Sequence, residues 1–396
     1  MIVQKIILTN FRNYDHLNLI PSDGVNVFFG ANGSGKTNIL EAIHYCSLGK
    51  SHRLNHDQSA VRFGHDSSLC QVEVFGGGAE RKITVQLSSA PAGKKTIFLD
   101  EKKISRFSEL MGCLQCVIFS PEDLGLIREG PSTRRRFLDM MISQTNRRYF
   151  IALQQYRMGL DQRNALLKSM KAGNMKSADW LSDFDQALAA PVELIVRERK
   201  KTVMRLNQVA MESYQKITGL DQEELSVLYH SSLKEANEEE IGEAFLNELK
   251  SSREEDIRLG LTSAGPHRDD LIFTLNRKNM RMFASQGQVR TAALSIKIAE
   301  MKMIYELSGE KPVLLLDDVM SELDQRRRAG LINEIASYQT FITCTDRETI
   351  SSFHQKIFEV HHRDGKGTVQ LIETDPESEK SERASHETLM EDPLFL

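Results

Sequence analysis

The stretch Val25-Asn26-Val27-Phe28-Phe29-Gly30-Ala31-Asn32-Gly33-Ser34-Gly35-Lys36-Thr37 decides how the rest of the chain is read. An apolar strand candidate enters GANGSGKT, and a helical pattern beginning Asn38-Ile39-Leu40-Glu41-Ala42-Ile43 leaves it. That is the strand-loop-helix context a phosphate loop requires. Gly30, Gly33 and Gly35 leave room for a tight loop whose backbone N–H groups converge, and the following helix turns its positive dipole end to the same anion. Ala31, Asn32 and Ser34 complete the loop, Lys36 is expected at the β/γ-phosphates, and the Thr37 hydroxyl is expected on Mg²⁺. A glycine-rich turn of no special purpose is the bland alternative. The agreement of every fixed position and both flanks argues against it.

A second stretch, Lys311-Pro312-Val313-Leu314-Leu315-Leu316-Asp317-Asp318, carries four apolar residues into two carboxylates. It reads as a buried parallel strand with acids at its C-terminal end, which is what a Walker B strand looks like. Phosphate-loop enzymes need one acid there to hold the Mg²⁺ shell and can use a second to orient the attacking water. Asp317 suits the first role and Asp318 the second, so Asp317, Asp318 and Lys36 are the catalytic candidates. Between the two motifs lies Phe283-Ala284-Ser285-Gln286-Gly287-Gln288, ahead of a helical pattern from Val289 to Leu307. It resembles the LSGGQ signature of ABC-type ATPases, with Gln286 replacing the first glycine. Ser285 and the Gly287 amide stand where a helix begins and can donate to a phosphate. An ordinary helix N-cap is the plainer reading of so short a string.

Composition bounds the answer without choosing it. The chain has 396 residues, 40% hydrophobic and 27% charged, enough to bury a full core divided into two or three lobes. A net charge of −4 gives no global attraction to nucleic acid, so any DNA contact rests on local basic patches. Five cysteines, with Cys113 and Cys116 the one close pair and no second pair or nearby histidines, read as reduced structural residues. No stretch approaches the roughly 18 uninterrupted apolar residues of a membrane span, and Met1-Ile2-Val3 begins a strand, so a cytoplasmic location without membrane partner is expected.

The two Walker motifs must meet in space, and the stretch separating them exceeds what one nucleotide-binding lobe needs. From about Arg134 to Leu261 glycines are few, charges many, and Phe137, Leu138, Met141, Ile142, Tyr149, Phe150, Leu153, Tyr156 and Leu160 fall at helical spacing, with Gly173-Asn174 and Pro191 as interruptions. Strand candidates flank this region: Val3 to Leu8, Leu69 to Phe75, Arg81 to Leu87, Thr96 to Leu99 and Gln115 to Phe119, then Leu271 to Leu275, Val313 to Leu316, Thr340 to Thr343 and Gln355 to Val360. The expectation is an α/β P-loop NTPase with an ABC-type ATPase head and an inserted α-helical domain. Its parts would be 1–133 (head, Walker A), 134–262 (helical arm), 263–383 (head, signature and Walker B) and 384–396 (acidic tail).

Seven segments together resemble the bacterial RecF family: Leu8 to Tyr14, GANGSGKTNILEAI, Ser120-Pro121-Glu122-Asp123-Leu124, EGPSTRRRFLD from Glu129, SAGPHRDDL from Ser263, SQGQ and LLLDDVMSELD. EGPSTRRRFLD and AGPHRDDL are the most specific, since the phosphate loop is shared with all SMC-like ATPases. The resemblance implies a DNA replication and repair protein that binds single-stranded or gapped DNA, dimerises head to head around two ATP molecules, and acts with RecR and RecO in recombinase loading and SOS induction. It also makes Arg12, in the N-terminal loop, a candidate ATP contact. An architectural SMC-like ATPase and a transporter-type ABC subunit are the alternatives; the broken insertion argues against heptad arms, and the wide Walker separation against a transporter.

The resemblance implies a weak, DNA-stimulated ATPase, and departures from the general ABC pattern imply slow hydrolysis. The residue after the Walker B aspartate is usually glutamate, whereas Asp318 is one methylene shorter; Thr345 stands at the switch position usually held by histidine, and Ser120 where many relatives carry glutamine. Arg134-Arg135-Arg136 and Arg147-Arg148 are open between DNA phosphates and a solvated helix face. Arg326-Arg327-Arg328 is equally open between DNA and local carboxylates, and His267 between function and a satisfied loop histidine.

Overall fold

The strand expected at Val25 to Phe29 forms over those residues, and both of its neighbours come from the far end of the chain: Thr340–Cys344 on one side and Lys356–Arg363 on the other, each parallel to it. The computed structural model describes residues 1–51, 53, 56–89, 94–173, 179–220, 222–233, 240–345, 356–363 and 365–373. The tail expected at 384–396 lies outside them. Two units emerge, one from Met1–Pro121 with Ser308–Leu396 and the other from Glu122–Leu307.

In the first unit a six-stranded sheet runs in the order Lys366–Glu373, Lys356–Arg363, Val25–Phe29, Thr340–Cys344, Val313–Asp317, Cys116–Phe119. All neighbours are parallel except the first pair. Val313–Asp317 and Thr340–Cys344 are buried at every position, as near-continuous apolar runs in a covered parallel sheet must be. A second sheet is antiparallel, in the order Tyr14–Leu19, Ile2–Phe11, Ser67–Gly76, Ala79–Ser88, Lys95–Leu99, Lys102–Lys103. The helix Lys36–Leu48 packs on strands of both sheets, which explains why it is buried nearly all round instead of amphipathic. Its Ile39, Leu40, Ile43 and Tyr45 share one core with Ile6, Val72, Phe341 and Leu315.

The second unit has its own core. Asn146 ends the helix Pro131–Thr145 and starts Arg147–Lys171, its side chain accepting from the Tyr149 N–H at 3.0 Å. The 40-residue helix Asp179–Thr218 returns antiparallel to it: Arg163 bonds Asp185, whereas Tyr149, earlier in the chain, meets the later Arg199. Pro191 was expected to break the helical run and does not. Leu188, Val192 and Ile195 are buried around it, and that packing offsets the roughly 3 kcal/mol of a helix-interior proline.

The arm expected over 134–262 is not a purely helical insertion. Leu225–His230 is a strand, paired in register with Asp270–Leu275, so residues beyond 262 belong to the same body. Val289, Ala292, Ile296 and Met303 from the helix Gln286–Ser308 join its core. The signature-like segment therefore falls in the second unit, whereas the expected boundaries put it in the head. Among the described residues no helix is long and apolar enough to cross a membrane, and all five cysteines are buried.

Candidate nucleotide-binding site

The site grows from the end of the strand Val25–Phe29. Gly33 (φ +79°) and Gly35 (φ +114°) take backbone conformations closed to most side chains, and a Cβ at Gly35 would strike the Asn13 amide. Asn13 holds the loop from outside: its Nδ2 donates to the Ser34 carbonyl at 2.8 Å, and its Oδ1 accepts from Asn38 Nδ2 at 2.8 Å. Tyr14 donates its hydroxyl to the Gly35 carbonyl at 3.2 Å; burial raises its pKa, so the phenol stays a donor. Asn13 and Tyr14 thus brace the loop through its own main chain.

Lys36 folds back into this loop and donates from Nζ to the carbonyls of Gly30 (2.7 Å) and Ala31 (2.9 Å). Burial pulls its pKa below the usual lysine range, against the attraction of Asp318 and Asp317. Thr37, 280 positions before Asp317 in the chain, donates its hydroxyl to Asp317 Oδ1 at 2.6 Å. The same oxygen accepts from Thr343 Oγ1 at 2.8 Å, and Thr343 Oγ1 accepts from the Asp318 N–H at 2.9 Å. Parallel pairing sets Asp317 opposite Thr343, so the register of two buried strands delivers this junction. Asp318 takes a left-handed φ of +54°, a conformation that turns the chain sharply at the end of the Walker B strand, and Ser321 caps its carbonyl.

One hydroxyl and one carboxylate, with phosphate oxygens and water making up the rest, is the ligand set a Mg²⁺ ion takes in such sites. Thr37 and Asp317 fit that pattern, and the described residues hold no cluster of three or more His, Cys, Asp or Glu that would form an all-protein metal cage. A cleft of about 780 Å³ opens over the loop, lined by Asn32, Lys36, Thr37, Asp317 and Asp318 together with Arg12, Arg53, Arg62 and Phe63. Of the candidates in the first unit, Arg12, Asn32, Gly33, Gly35, Lys36, Thr37, Asp317 and Asp318 line it. Arg12 reaches the cleft but is paired through Nε with Glu41 at 3.0 Å and donates from NH1 to the Ser59 carbonyl at 3.1 Å. Sequence reasoning missed Asn13, Glu41 and Thr343. Of these, Thr343 was legible, as the hydroxyl in the strand flanking the Walker B acids.

Ser285 and Gly287 lie in the second unit. Ser285 N–H donates to Gln288 Oε1 at 3.0 Å, and Ser285 Oγ accepts from the Gln288 N–H at 3.3 Å: a reciprocal capping box that leaves Ser285 and Gln286 exposed at a helix start. Arg128 donates to the carbonyls of Arg281 and Ala284 and so pins the approach to it. Thr345 is exposed just past its strand, and Ser120 is buried.

The arginine runs divide. Arg134 is buried in a two-point pair with Asp270 (2.7 and 2.9 Å) and donates to the Glu129 carbonyl at 2.7 Å, while Arg135 donates to the Asp269 carbonyl at 2.7 Å. Arg134 is thereby taken up inside the fold, whereas Arg135 is half-buried. Arg147 and Arg148 are exposed. Arg327 pairs with Asp324 and Arg328 donates to the Met320 carbonyl, ties within their own segment. His267 accepts at Nδ1 from the Tyr156 hydroxyl (2.5 Å) and donates from Nε2 to the Thr262 carbonyl (3.0 Å), a satisfied loop histidine.

The chain is similar to known proteins along nearly its whole length. Residues 2–368 match the family model described as RecF/RecN/SMC N terminal domain. A Clostridium tetani protein named DNA replication and repair protein RecF is 41% identical over 91% of this chain and 98% of its own length; one of that name from Lactobacillus johnsonii is 41% identical over 93% and 98%. A solved structure of the recombination mediator protein RecF with ATP, from the RecFOR pathway, superposes with a TM-score of 0.86 at 35% identity, covering 94% of this chain and 98% of that one. A Pyrococcus furiosus Smc head, at 18% identity and a TM-score of 0.56, covers 98% and 99% and shares the fold.

Proposed function

The chain belongs to the RecF family, and we propose that it is an ATP-switched DNA-binding protein of replication and recombinational repair. It works in the cytoplasm as a homodimer at single-strand gaps or gap junctions, with RecR and RecO, toward recombinase loading and SOS induction. The observation that carries the reading is the junction of Thr37 with Asp317, which joins the phosphate loop to the Walker B acid across 280 positions of chain.

The chain's own residues support binding first. Lys36 exchanges two neutral carbonyls for phosphate oxygens, and the loop N–H groups and the helix N-terminus face the same charge. Thr37 and Asp317 are the protein ligands for Mg²⁺, which neutralises the phosphates when bound. Asp318, its amide held by Thr343, orients the attacking water. The shorter carboxylate and the absence of a histidine at Thr345 favour slow turnover, suited to a switch instead of a motor. Ser285 and the Gly287 amide complete the nucleotide site of a second copy. An architectural SMC-like role is less supported, because the long helices Arg147–Lys171 and Asp179–Thr218 share one core with strands and shorter helices instead of forming a free coiled coil.

Ser285→Arg tests the dimer. It places bulk and charge at the exposed capping position, so ATP binding by the monomer stays near wild type while ATP-induced dimerisation, read by light scattering, disappears and DNA affinity falls with it. Normal dimerisation of this variant with ATP would reduce SQGQ to a helix cap.

A further inference from the structure

The turn after the helical segment Asp57–Ala60 presents an aromatic side chain in an unusual way. Phe63 is fully exposed, yet its backbone is fixed on every side. Val61 bridges Phe11, the Arg62 N–H donates to the Asn10 carbonyl at 2.9 Å, and the Arg62 side chain is anchored by Asp15 (3.1 Å) and the Gly365 carbonyl (3.2 Å). The His65 N–H then donates to the Arg62 carbonyl at 3.1 Å, and Gly64 takes φ +82°. That combination is a type II turn with Phe63 at its outer corner. The turn lines the same cleft as Lys36, Thr37 and Asp317.

A singly exposed apolar side chain means little by itself, but an aromatic ring set by a pinned turn into the lining of a polar cleft offers a ligand a flat face there. The cleft also holds Lys36, Thr37 and the loop glycines, which suit phosphates; among the described residues lining it, Phe63 supplies the flat apolar face. Resting on the nucleotide-site reading above, we propose that Phe63 is the platform on which the base of the bound nucleoside triphosphate stacks. Stacking on a preformed ring is tolerant of which base is presented and favours the larger purine, so Phe63 sets affinity and a purine preference while Lys36 and the loop set the triphosphate requirement. Because the ring makes no contribution to the buried core, removing it leaves the fold alone.

The experiment compares ATP, CTP and inorganic tripolyphosphate as ligands in calorimetric titrations of wild type, Phe63→Ala, Phe63→Tyr and Lys36→Ala. Phe63→Ala is expected to weaken ATP about ten-fold, to narrow the gap between ATP and CTP, and to leave tripolyphosphate unchanged, with Phe63→Tyr restoring ATP binding. Lys36→Ala is expected to weaken all three ligands. Unchanged ATP affinity in Phe63→Ala, equal weakening of ATP and tripolyphosphate, or a loss confined to DNA binding would each overturn the stacking role. Wild-type ATP affinity in Lys36→Ala would instead overturn the site on which it rests.

Discussion

Two sets of charged motif residues behave in opposite ways here. In the first unit Lys36 and Asp318 face a cleft and are held by main-chain groups or hydroxyls that a ligand can replace. In the second unit the RecF-specific strings EGPSTRRRFLD and AGPHRDDL meet around the buried Arg199. It donates to Asp139 at 2.8 Å, Asp269 at 3.1 Å, the Tyr149 hydroxyl at 3.0 Å and the Pro266 carbonyl at 2.7 Å. Tyr229 and the Ser232 N–H also bond Asp269. A second buried arginine, Arg163, holds Asp185, Asp256 and Thr262. A family-specific charged string is thus not thereby a binding string: the more specific pair of motifs packs around a buried arginine, and the widely shared pair lines the cleft proposed to bind nucleotide.

The contrast breaks most visibly at Arg199. Arg199→Ala leaves Asp139 and Asp269 buried without their partner and is expected to cost about 3–5 kcal/mol in urea or thermal unfolding, whereas ATP affinity of the folded fraction stays within about two-fold. Lys36→Ala is the reverse case: a loss of roughly 100-fold or more in ATP affinity, with a much smaller change in unfolding midpoint. A variant pair sharpens the reading of the acids. Asp317→Asn should abolish the Mg²⁺ dependence of nucleotide binding, while Asp318→Asn should keep binding, slow hydrolysis by about 10–100-fold and prolong the ATP-bound dimer; equal loss of affinity in both would merge the two roles.

The smallest effect concerns pH. Burial holds the His267 pKa below its ordinary value near 6.5, with the Arg268 charge acting in the same sense and the Thr262 carbonyl opposing. Below that value the unfolded chain takes up a proton that the folded site refuses, so this contribution is fully present above pH 6.5 and is lost on acidification, with a slope of at most about 1.4 kcal/mol per pH unit. His267→Gln should flatten that part of the stability profile between pH 7.5 and 5.5. An unchanged slope would assign the acid sensitivity to other groups.

Much of the head was legible because its signals are local. The strand Val25–Phe29 and the acids of the Walker B strand stand in the chain as they stand in the fold, and Ser-x-x-Gln announces its own capping box. What escaped was set by partners distant in sequence. Leu225–His230 reads weakly as a strand until Asp270–Leu275 is laid beside it, and Pro191 reads as a breaker until Val192 and Ile195 are seen buried past it. Arg134 and Arg135 look like a phosphate-binding run, and only the position of Asp269 and Asp270 shows where their charge goes. Phe63 carries no periodicity at all; its meaning lies in its exposure.

The placement of Val25–Phe29 between Thr340–Cys344 and Lys356–Arg363 has a consequence for synthesis on the ribosome. The second unit is one continuous segment and can fold as it emerges. The strand that leads into the phosphate loop cannot, because both of its edges wait for roughly 300 further residues, a delay of about 15–60 s at ordinary translation rates. During that interval Val25, Val27 and Phe28 have no sheet to enter, so nascent chains of this protein should depend on chaperone shielding far more at their start than in their middle.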